Sequence, residues 1–208
     1  MIKLFLTSYF ACVSKLFANF TENTCLNKKV VFIPTASIVE EVNYYVDTDK
    51  KELEKLGLVL DELEISKAPK NKIEQKILEA DYIFMEGGNT FFLLQELKRT
   101  GTDELIKEHI RKGKIYIGCS AGSMIVSKTI KYEKYMYEPD DLNMAPGLKN
   151  DFTALSVVDF SIVPHYNSHN KIAKEIIRLY SKKYNLRPIC DNQVITVVGN
   201  EIEVLTVK

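Results

Sequence analysis

Short apolar runs alternate with longer amphipathic segments along most of this chain. Apolar runs rich in β-branched and aromatic residues are typical of buried strands, and charged segments with an apolar face are typical of helices. We predict strands at 3–6, 30–33, 58–65, 81–85, 114–117, 155–163, 194–198 and 202–207, and helices at 40–56, 71–79, 90–98, 103–112 and 170–184. This alternation predicts an α/β fold, a mostly parallel sheet with helices on both faces.

The pattern is interrupted once, by a stretch rich in Tyr, Glu and Asp at 130–151, which we interpret as an excursion that forms a lid or rim. Near the end, Gly199-Asn200 between two strands predicts a hairpin. Because no repeat, low-complexity tract or linker is visible, we predict a single domain over residues 1–208.

Composition narrows the classes of function. The chain has 28 Lys and Arg against 28 Asp and Glu, so its balanced charge gives no reason to expect nucleic acid as a partner. No apolar run is long enough to span a membrane. Four cysteines and three histidines lack zinc-binding spacing, so we expect neither a metal nor another cofactor. The start lacks a signal-peptide pattern and reads as a strand followed by a turn, so we expect a cytoplasmic protein.

The most informative motif is Gly118-Cys119-Ser120-Ala121-Gly122. It follows a predicted strand and precedes a segment that could open a helix. A serine on such a tight strand-to-helix turn presents its hydroxyl as a nucleophile. The alternative is a glycine-rich turn with an incidental serine. Because neighbours on a strand end point to opposite sides, we expect Cys119 to face the core.

A serine hydroxyl needs a base, and three histidines compete for that role. His165 follows an apolar run and Pro164, at a predicted strand end, so we favour it. His169 is the second candidate and could also contact substrate. His109 lies in a charged amphipathic segment, and we expect it on the surface.

The base in turn needs an acid to orient it. Asp191 lies just before the strand at 194–198 and is the favoured candidate, with Asp159 as an alternative. For the oxyanion, the elbow offers the amide of Ala121. A second amide can come from the turn Gly87-Gly88-Asn89, in which Asn89 could also cap a helix.

These motifs, in this order, resemble peptidase family S51, which includes the peptidase E aspartyl dipeptidases and the cyanophycinases. The stretches that carry the resemblance are Phe84-Met85-Glu86-Gly87-Gly88-Asn89-Thr90, the Ser120 motif and Pro164-His165-Tyr166. The resemblance implies a fold like the class I glutamine amidotransferases, with serine in place of their elbow cysteine. It implies Ser120 as nucleophile, His165 as base, and Gly88 with Ala121 as the oxyanion hole.

Two departures from the peptidase E pattern bear on the site. Peptidase E proteins carry Glu as the third triad member, and Asp191 occupies the matching place here. They also use an arginine after the catalytic histidine to pair with the substrate's aspartyl carboxylate. The corresponding stretch here offers His169 and Lys171, and the nearest arginine is Arg178.

We therefore expect a serine peptidase that hydrolyses short peptides, with Asp-X dipeptides as one candidate substrate class and Asn89, His169 and Lys171 as candidate substrate contacts. A homodimer would be in keeping with related folds. Two alternatives remain open from the residues. One is a non-catalytic relative that binds a small ligand. The other is an α/β-hydrolase-type esterase, whose acid would lie between Ser120 and His165, at Asp140, Asp141, Asp151 or Asp159.

Overall fold

A seven-stranded sheet forms the centre of the computed structural model, which describes residues 1–135, 142–166 and 171–207. Its strands, in chain order, are β1 (Lys3–Thr7), β2 (Lys29–Ile33), β3 (Val59–Glu62), β4 (Tyr82–Met85), β5 (Ile115–Cys119), β8 (Gln193–Val198) and β9 (Glu201–Thr206). Across the sheet the order is β3-β2-β4-β5-β1-β8-β9. The first five strands of that order are parallel, and the hairpin β8–β9 is antiparallel.

Helices cover both faces of this sheet. They are α1 (Phe10–Phe20), α2 (Tyr44–Lys55), α3 (Lys70–Glu79), α4 (Thr90–Thr100), α5 (Thr102–Arg111), α6 (Ala121–Met124) and α7 (Lys171–Tyr180). The side chains of β1 point alternately to the two faces of the sheet and so contact different sets of helices. Leu4 and Leu6 pack in one cluster with α3, α4 and α5, whereas Phe5 packs in another with α1 and α2. The predicted α/β fold class is confirmed.

Two parts of the prediction are wrong. The segment after β1 is not a turn but helix α1, whose Phe10 and Phe17 rings pack edge-on against Phe5. The predicted strand at 155–163 shortens to β6 (Ser161–Val163), which pairs with β7 (Leu186–Pro188) in a separate two-stranded sheet. The residues before it bond instead to the chain after α6, through Leu155 N to Ile125 O.

The excursion at 130–151 is described only in part, because 136–141 lie outside the described residues. Its described portions include short 3-10 turns at Lys131–Tyr135 and Pro146–Leu148. They dock on α4, where Gln95 accepts a hydrogen bond from the Gly147 amide and Lys98 pairs with Asp151. The described portions of the excursion therefore pack against α4.

Within the described ranges, no helix has the length and apolar character needed to cross a membrane.

Candidate active site

The Ser120 motif forms the sharp turn that its spacing predicts. Ser120 lies between β5 and α6 with φ 46° and ψ −108°, a conformation that L-residues rarely adopt. A Cβ on Gly122 would lie 2.1 Å from Met85 O, and one on Gly118 would lie 2.7 Å from Gly122 O. Both glycines are therefore required, because the turn packs against β4 and against itself. Cys119 is buried, as predicted.

Ser120, His165 and Asp191 form a hydrogen-bonded chain. Ser120 Oγ lies 3.2 Å from His165 Nε2, and His165 Nδ1 lies 2.6 Å from Asp191 Oδ1. His165 directly follows Pro164 at the end of β6, and Asp191 lies between β7 and β8. Because the Asp191 carboxylate accepts a hydrogen bond from His165 Nδ1, the proton of the neutral imidazole lies on Nδ1. Nε2 is then free of a proton and can accept the one on the Ser120 hydroxyl.

Asp191 is held in its ionised form. The hydrogen bond from His165 lowers the pKa of the Asp191 carboxyl, burial opposes that shift, and a hydrogen bond from Ser8 reinforces it. An ionised carboxylate at this position stabilises the imidazolium that forms when His165 takes a proton.

Ser8 is a fourth member of this arrangement that the sequence analysis missed. Its hydroxyl donates to Asp191 Oδ1 at 2.6 Å, accepts from the backbone amide of His165 at 2.8 Å, and lies 3.1 Å from His165 Nδ1. Ser8 follows β1, which is the neighbour of β5 in the sheet. The sequence feature that could have identified Ser8 as a site residue is its position directly after a predicted strand.

The turn Gly87-Gly88-Asn89 lies against the serine. A Cβ on Gly87 would come 3.2 Å from Ser120 Cβ. The Gly87 amide donates to Glu86 Oε1 at 2.7 Å, which directs it away from the cleft. Gly88 has φ +128°, and a Cβ there would lie 2.3 Å from Ala36 O, so only glycine fits. Ala121 begins α6, where first-turn amides have no partner within the helix.

Asn89 has a structural task. Its Oδ1 accepts a hydrogen bond from Phe92 N at the start of α4, and its side chain is buried. This placement makes Asn89 the cap of α4 and does not support the predicted substrate contact.

A cleft of about 510 Å³ opens beside the serine. It is lined by Ser8, Tyr9, Glu40, Tyr44, Tyr45, Gly87, Gly88, Cys119, Ser120, Pro164, His165 and Asp191. Among these described lining residues, Glu40 and Asp191 carry carboxylates and none carries a lysine or arginine side chain. Within the described ranges, the cleft thus offers no lysine or arginine to pair with a carboxylate of a ligand.

Of the two remaining candidate substrate contacts, the one that the structure describes, Lys171, does not reach this cleft. Lys171 is exposed at the start of α7 and is not among the lining residues. Arg178 pairs with Glu175 on the same helix. His169 lies outside the described residues.

The expectation for His109 is wrong. Its side chain is only 3% exposed, and Nε2 lies 3.1 Å from Ile115 O. Burial lowers the pKa of His109 to about 4, so it is a neutral histidine of the core. The charged residues around it in sequence concealed the fact that His109 lies on the inner face of α5.

The two described acids that an α/β-hydrolase arrangement could use, Asp151 and Asp159, do not contact the histidine. Asp151 pairs with Lys98 at 2.6 Å, and Asp159 is exposed. Asp140 and Asp141 lie outside the described residues. The acid that contacts His165 follows it in the chain, so the described geometry does not support the esterase alternative.

The sequence model of Peptidase family S51 matches residues 4–205. The chain belongs to peptidase family S51. It is 49% identical to an uncharacterized peptidase of Pasteurella multocida, over 99% of this chain and 97% of that protein. It is 35% identical over 144 residues to peptidase E of Shewanella denitrificans, a match that covers 68% of this chain and 55% of that protein.

Solved structures agree with this assignment. A Listeria monocytogenes protein crystallised as a candidate peptidase E superposes with a TM-score of 0.92 and 44% identity over the full length of both chains. A peptidase from an acI-B1 Actinobacterium, 18% identical, has a TM-score of 0.71 over 99% of this chain and 88% of that one. At that identity the second likeness concerns the fold alone. The S51 chain described here is thus a peptidase by family.

Proposed function

We propose that this S51 member is a serine peptidase that cleaves short peptides. The observation that carries the proposal is the hydrogen-bonded chain Ser120–His165–Asp191, set beside two turns that can offer amides to an oxyanion. A nucleophile, a base and an orienting acid in this relation are what acyl transfer requires.

In the proposed mechanism, Ser120 Oγ attacks the scissile carbonyl carbon while His165 Nε2 takes the hydroxyl proton. The amides of Gly88 and Ala121 stabilise the negative charge that develops on the carbonyl oxygen. His165 then passes the proton to the leaving amine, and an acyl-enzyme remains on Ser120. Water, deprotonated by His165, hydrolyses it. None of these steps calls for a metal or an organic cofactor.

The charge of the cleft bears on the substrate. Among the described lining residues, no lysine or arginine is present to pair with an aspartyl side chain. We therefore propose that peptides beginning with an uncharged or basic residue are cleaved faster than Asp-X peptides. The cleft volume suits a peptide of a few residues.

The test is a dipeptide panel with Asp-X, Asn-X, Lys-X and neutral X-X members, assayed with the wild-type protein and Ser120→Ala. We expect kcat/KM for neutral or Lys-X members to exceed that for Asp-X, and Ser120→Ala to lower every rate by at least about 10³-fold. A panel in which only Asp-X is cleaved would contradict the proposed preference. Activity that survives in Ser120→Ala would contradict the mechanism.

A second measurement covers the case in which the protein cleaves no peptide of the panel. If no peptide is cleaved, a serine-directed phosphonate followed by mass spectrometry distinguishes the cases. A phosphonate adduct on Ser120 would keep the mechanism and leave the substrate to be found. A folded protein without any adduct would favour the non-catalytic, ligand-binding alternative.

A further inference from the structure

A buried acidic cluster lies directly behind the proposed nucleophile. Asp49 on α2, Glu86 after β4 and Cys119 at the end of β5 are each at most 2% exposed. One carboxyl oxygen from each acid and the Cys119 sulfur lie within 4.8 Å of one another. Glu86 immediately precedes Gly87-Gly88, and Cys119 immediately precedes Ser120. The cluster therefore touches both turns of the site.

Each acid uses one oxygen to hold a backbone amide. Ala11 N donates to Asp49 Oδ1 at 2.9 Å, and Gly87 N donates to Glu86 Oε1 at 2.7 Å. The other two oxygens, Asp49 Oδ2 and Glu86 Oε2, are buried without a hydrogen-bond partner among the described residues. Two adjacent ionised carboxylates in such a place would be strongly disfavoured, so one acid must retain its proton.

The geometry indicates which acid does so. Ala11 lies in the first turn of α1, so Asp49 accepts at a helix N-terminus, where a negative charge is stabilised. Among the described residues, the only backbone amide that donates to the Glu86 carboxyl is that of Gly87. Consistent with this, burial raises the pKa of Asp49 to about 7. Burial, and then the charge of Asp49, raise the pKa of Glu86 well above its ordinary range.

The surroundings favour retention of the proton. Tyr45 and Glu52 face the cluster from α2, Cys12 faces it from α1, and Glu40 lies beyond Tyr45. The positive charge of Lys50 acts in the opposite direction and lowers the pKa of Glu86. Its ammonium also pairs with Glu62 at 2.6 Å on the surface. Negative or neutral groups thus outnumber positive ones around the two acids.

We propose that Glu86 is a positioning residue that works as a neutral acid, next to an ionised Asp49, beneath the Gly87–Gly88 turn. The side-chain oxygen Oε1 of Glu86 accepts a hydrogen bond from the Gly87 amide, so that the next amide, that of Gly88, faces the cleft. Its neutrality keeps a negative charge away from the place where the oxyanion develops. An ionised Glu86 would oppose the charge that Gly88 and Ala121 stabilise. This inference rests on the proposed serine peptidase mechanism.

The kinetic test compares three substitutions by the pH profile of kcat. Glu86→Ala should lower kcat at least tenfold at neutral pH, because the Gly87 amide loses its acceptor. Glu86→Gln should recover most of that loss, since its amide oxygen can accept from Gly87 N. The fall of kcat at alkaline pH that Glu86 ionisation causes should be absent in Glu86→Gln. Asp49→Asn should move that fall to lower pH, because it removes the charge that raises the pKa of Glu86.

Glu54→Gln is the matched control. Glu54 lies on α2 like Asp49, but its side chain is exposed to solvent. We expect its alkaline limb to coincide with that of the wild type. A Glu86→Gln variant that is folded and no faster than Glu86→Ala at neutral pH would overturn the proposal, because it would show that the ionised form is the working one.

An infrared readout keeps this inference separate from the peptidase proposal. The difference spectrum between the wild type and Glu86→Gln at neutral pH should contain the carbonyl stretch of a protonated carboxylic acid. Glu133, another buried acid, cancels in the difference. The same band should appear in a Ser120→Ala background, whether or not peptides are cleaved. Its absence would overturn the proposal, and so would stoichiometric Zn²⁺ binding that is lost in Cys119→Ser, because a cation would then take the place of the proton on Glu86.

Discussion

Ser8 illustrates how much of this site depends on single hydroxyl groups. One oxygen contacts the backbone amide of His165 and the carboxylate of Asp191, so it fixes the base relative to its acid. Residues that orient a base in this way act through geometry, and small displacements of the base reduce the rate.

Ser8→Ala should lower kcat about tenfold, the effect on a rate of losing one hydrogen bond of about 1.4 kcal/mol. Ser14→Ala, which removes a buried serine of α1 that bonds Glu52, is the control. Equal rates in Ser8→Ala and wild type would contradict this role.

At the same scale, strand ends decided which site residues could be predicted. Ser120 and His165 were found because each follows an apolar run. The shared edge of a parallel sheet accounts for Ser120, whereas His165 follows β6, which lies in the separate two-stranded sheet. Ser8 obeys the same rule. It was missed because the adjacency of β1 and β5 depends on strand order, which local patterns do not specify. The surface position predicted for His109 was wrong because most residues next to it in sequence are charged, although His109 itself lies on the buried face of α5.

Among the elements, the turn between β4 and α4 is the most constrained. Gly88 combines φ +128° with a backbone carbonyl, that of Ala36, where a side chain would begin. The turn is further held by Asn89 N donating to Ala36 O at 2.9 Å. Any side chain at 88 must therefore move the amide that we assign to the oxyanion.

Gly88→Ala should reduce kcat more than 100-fold and destabilise the fold by roughly 1–3 kcal/mol. Gly101→Ala is its control, because Gly101 also has a positive φ, +74°, but nothing lies within 4 Å of its Cβ position. That variant should lose some stability and keep near wild-type activity. Thermal unfolding and kcat, measured on both variants, check the prediction. Similar activities in the two variants would count against a role for the Gly88 amide.

Two elements were beyond local prediction for physical reasons. Helix α1 has no side-chain cap of its own, and the acceptor for its first turn is Asp49, which lies on α2. Its start is thus set by a tertiary contact. The apolar stretch before β6 looked like strand because it is buried, but its burial comes from packing on the chain after α6. Apolar pattern reports burial better than it reports hydrogen-bond partners.

For the whole molecule, buried titratable groups set how stability varies with pH. A carboxyl group whose pKa is lowered by folding, such as Asp151 with a pKa of about 2, stabilises the fold while it is ionised. That stabilisation is lost only at strongly acidic pH. His109 acts in a milder range. Its pKa is about 4 when folded and near 6.5 when exposed, so the unfolded chain takes up a proton first as pH falls.

The stabilisation from neutral His109 is therefore fully present above about pH 6.5 and is lost as pH falls toward 4, by up to about 3 kcal/mol. His109→Gln, which can still donate to Ile115 O and does not titrate, should flatten this part of the stability curve. Denaturant unfolding of both proteins across the range measures the difference. Parallel curves would show that His109 titrates normally in the folded state.

The backbone of Ser120 carries a further consequence. A chain under selection for stability alone would place glycine at φ 46° and ψ −108°, because glycine adopts that conformation without strain. Serine there sacrifices roughly 1–3 kcal/mol. Under the mechanism proposed here, drift toward a more stable protein is opposed at Ser120, and the retained strain reflects selection for reactivity.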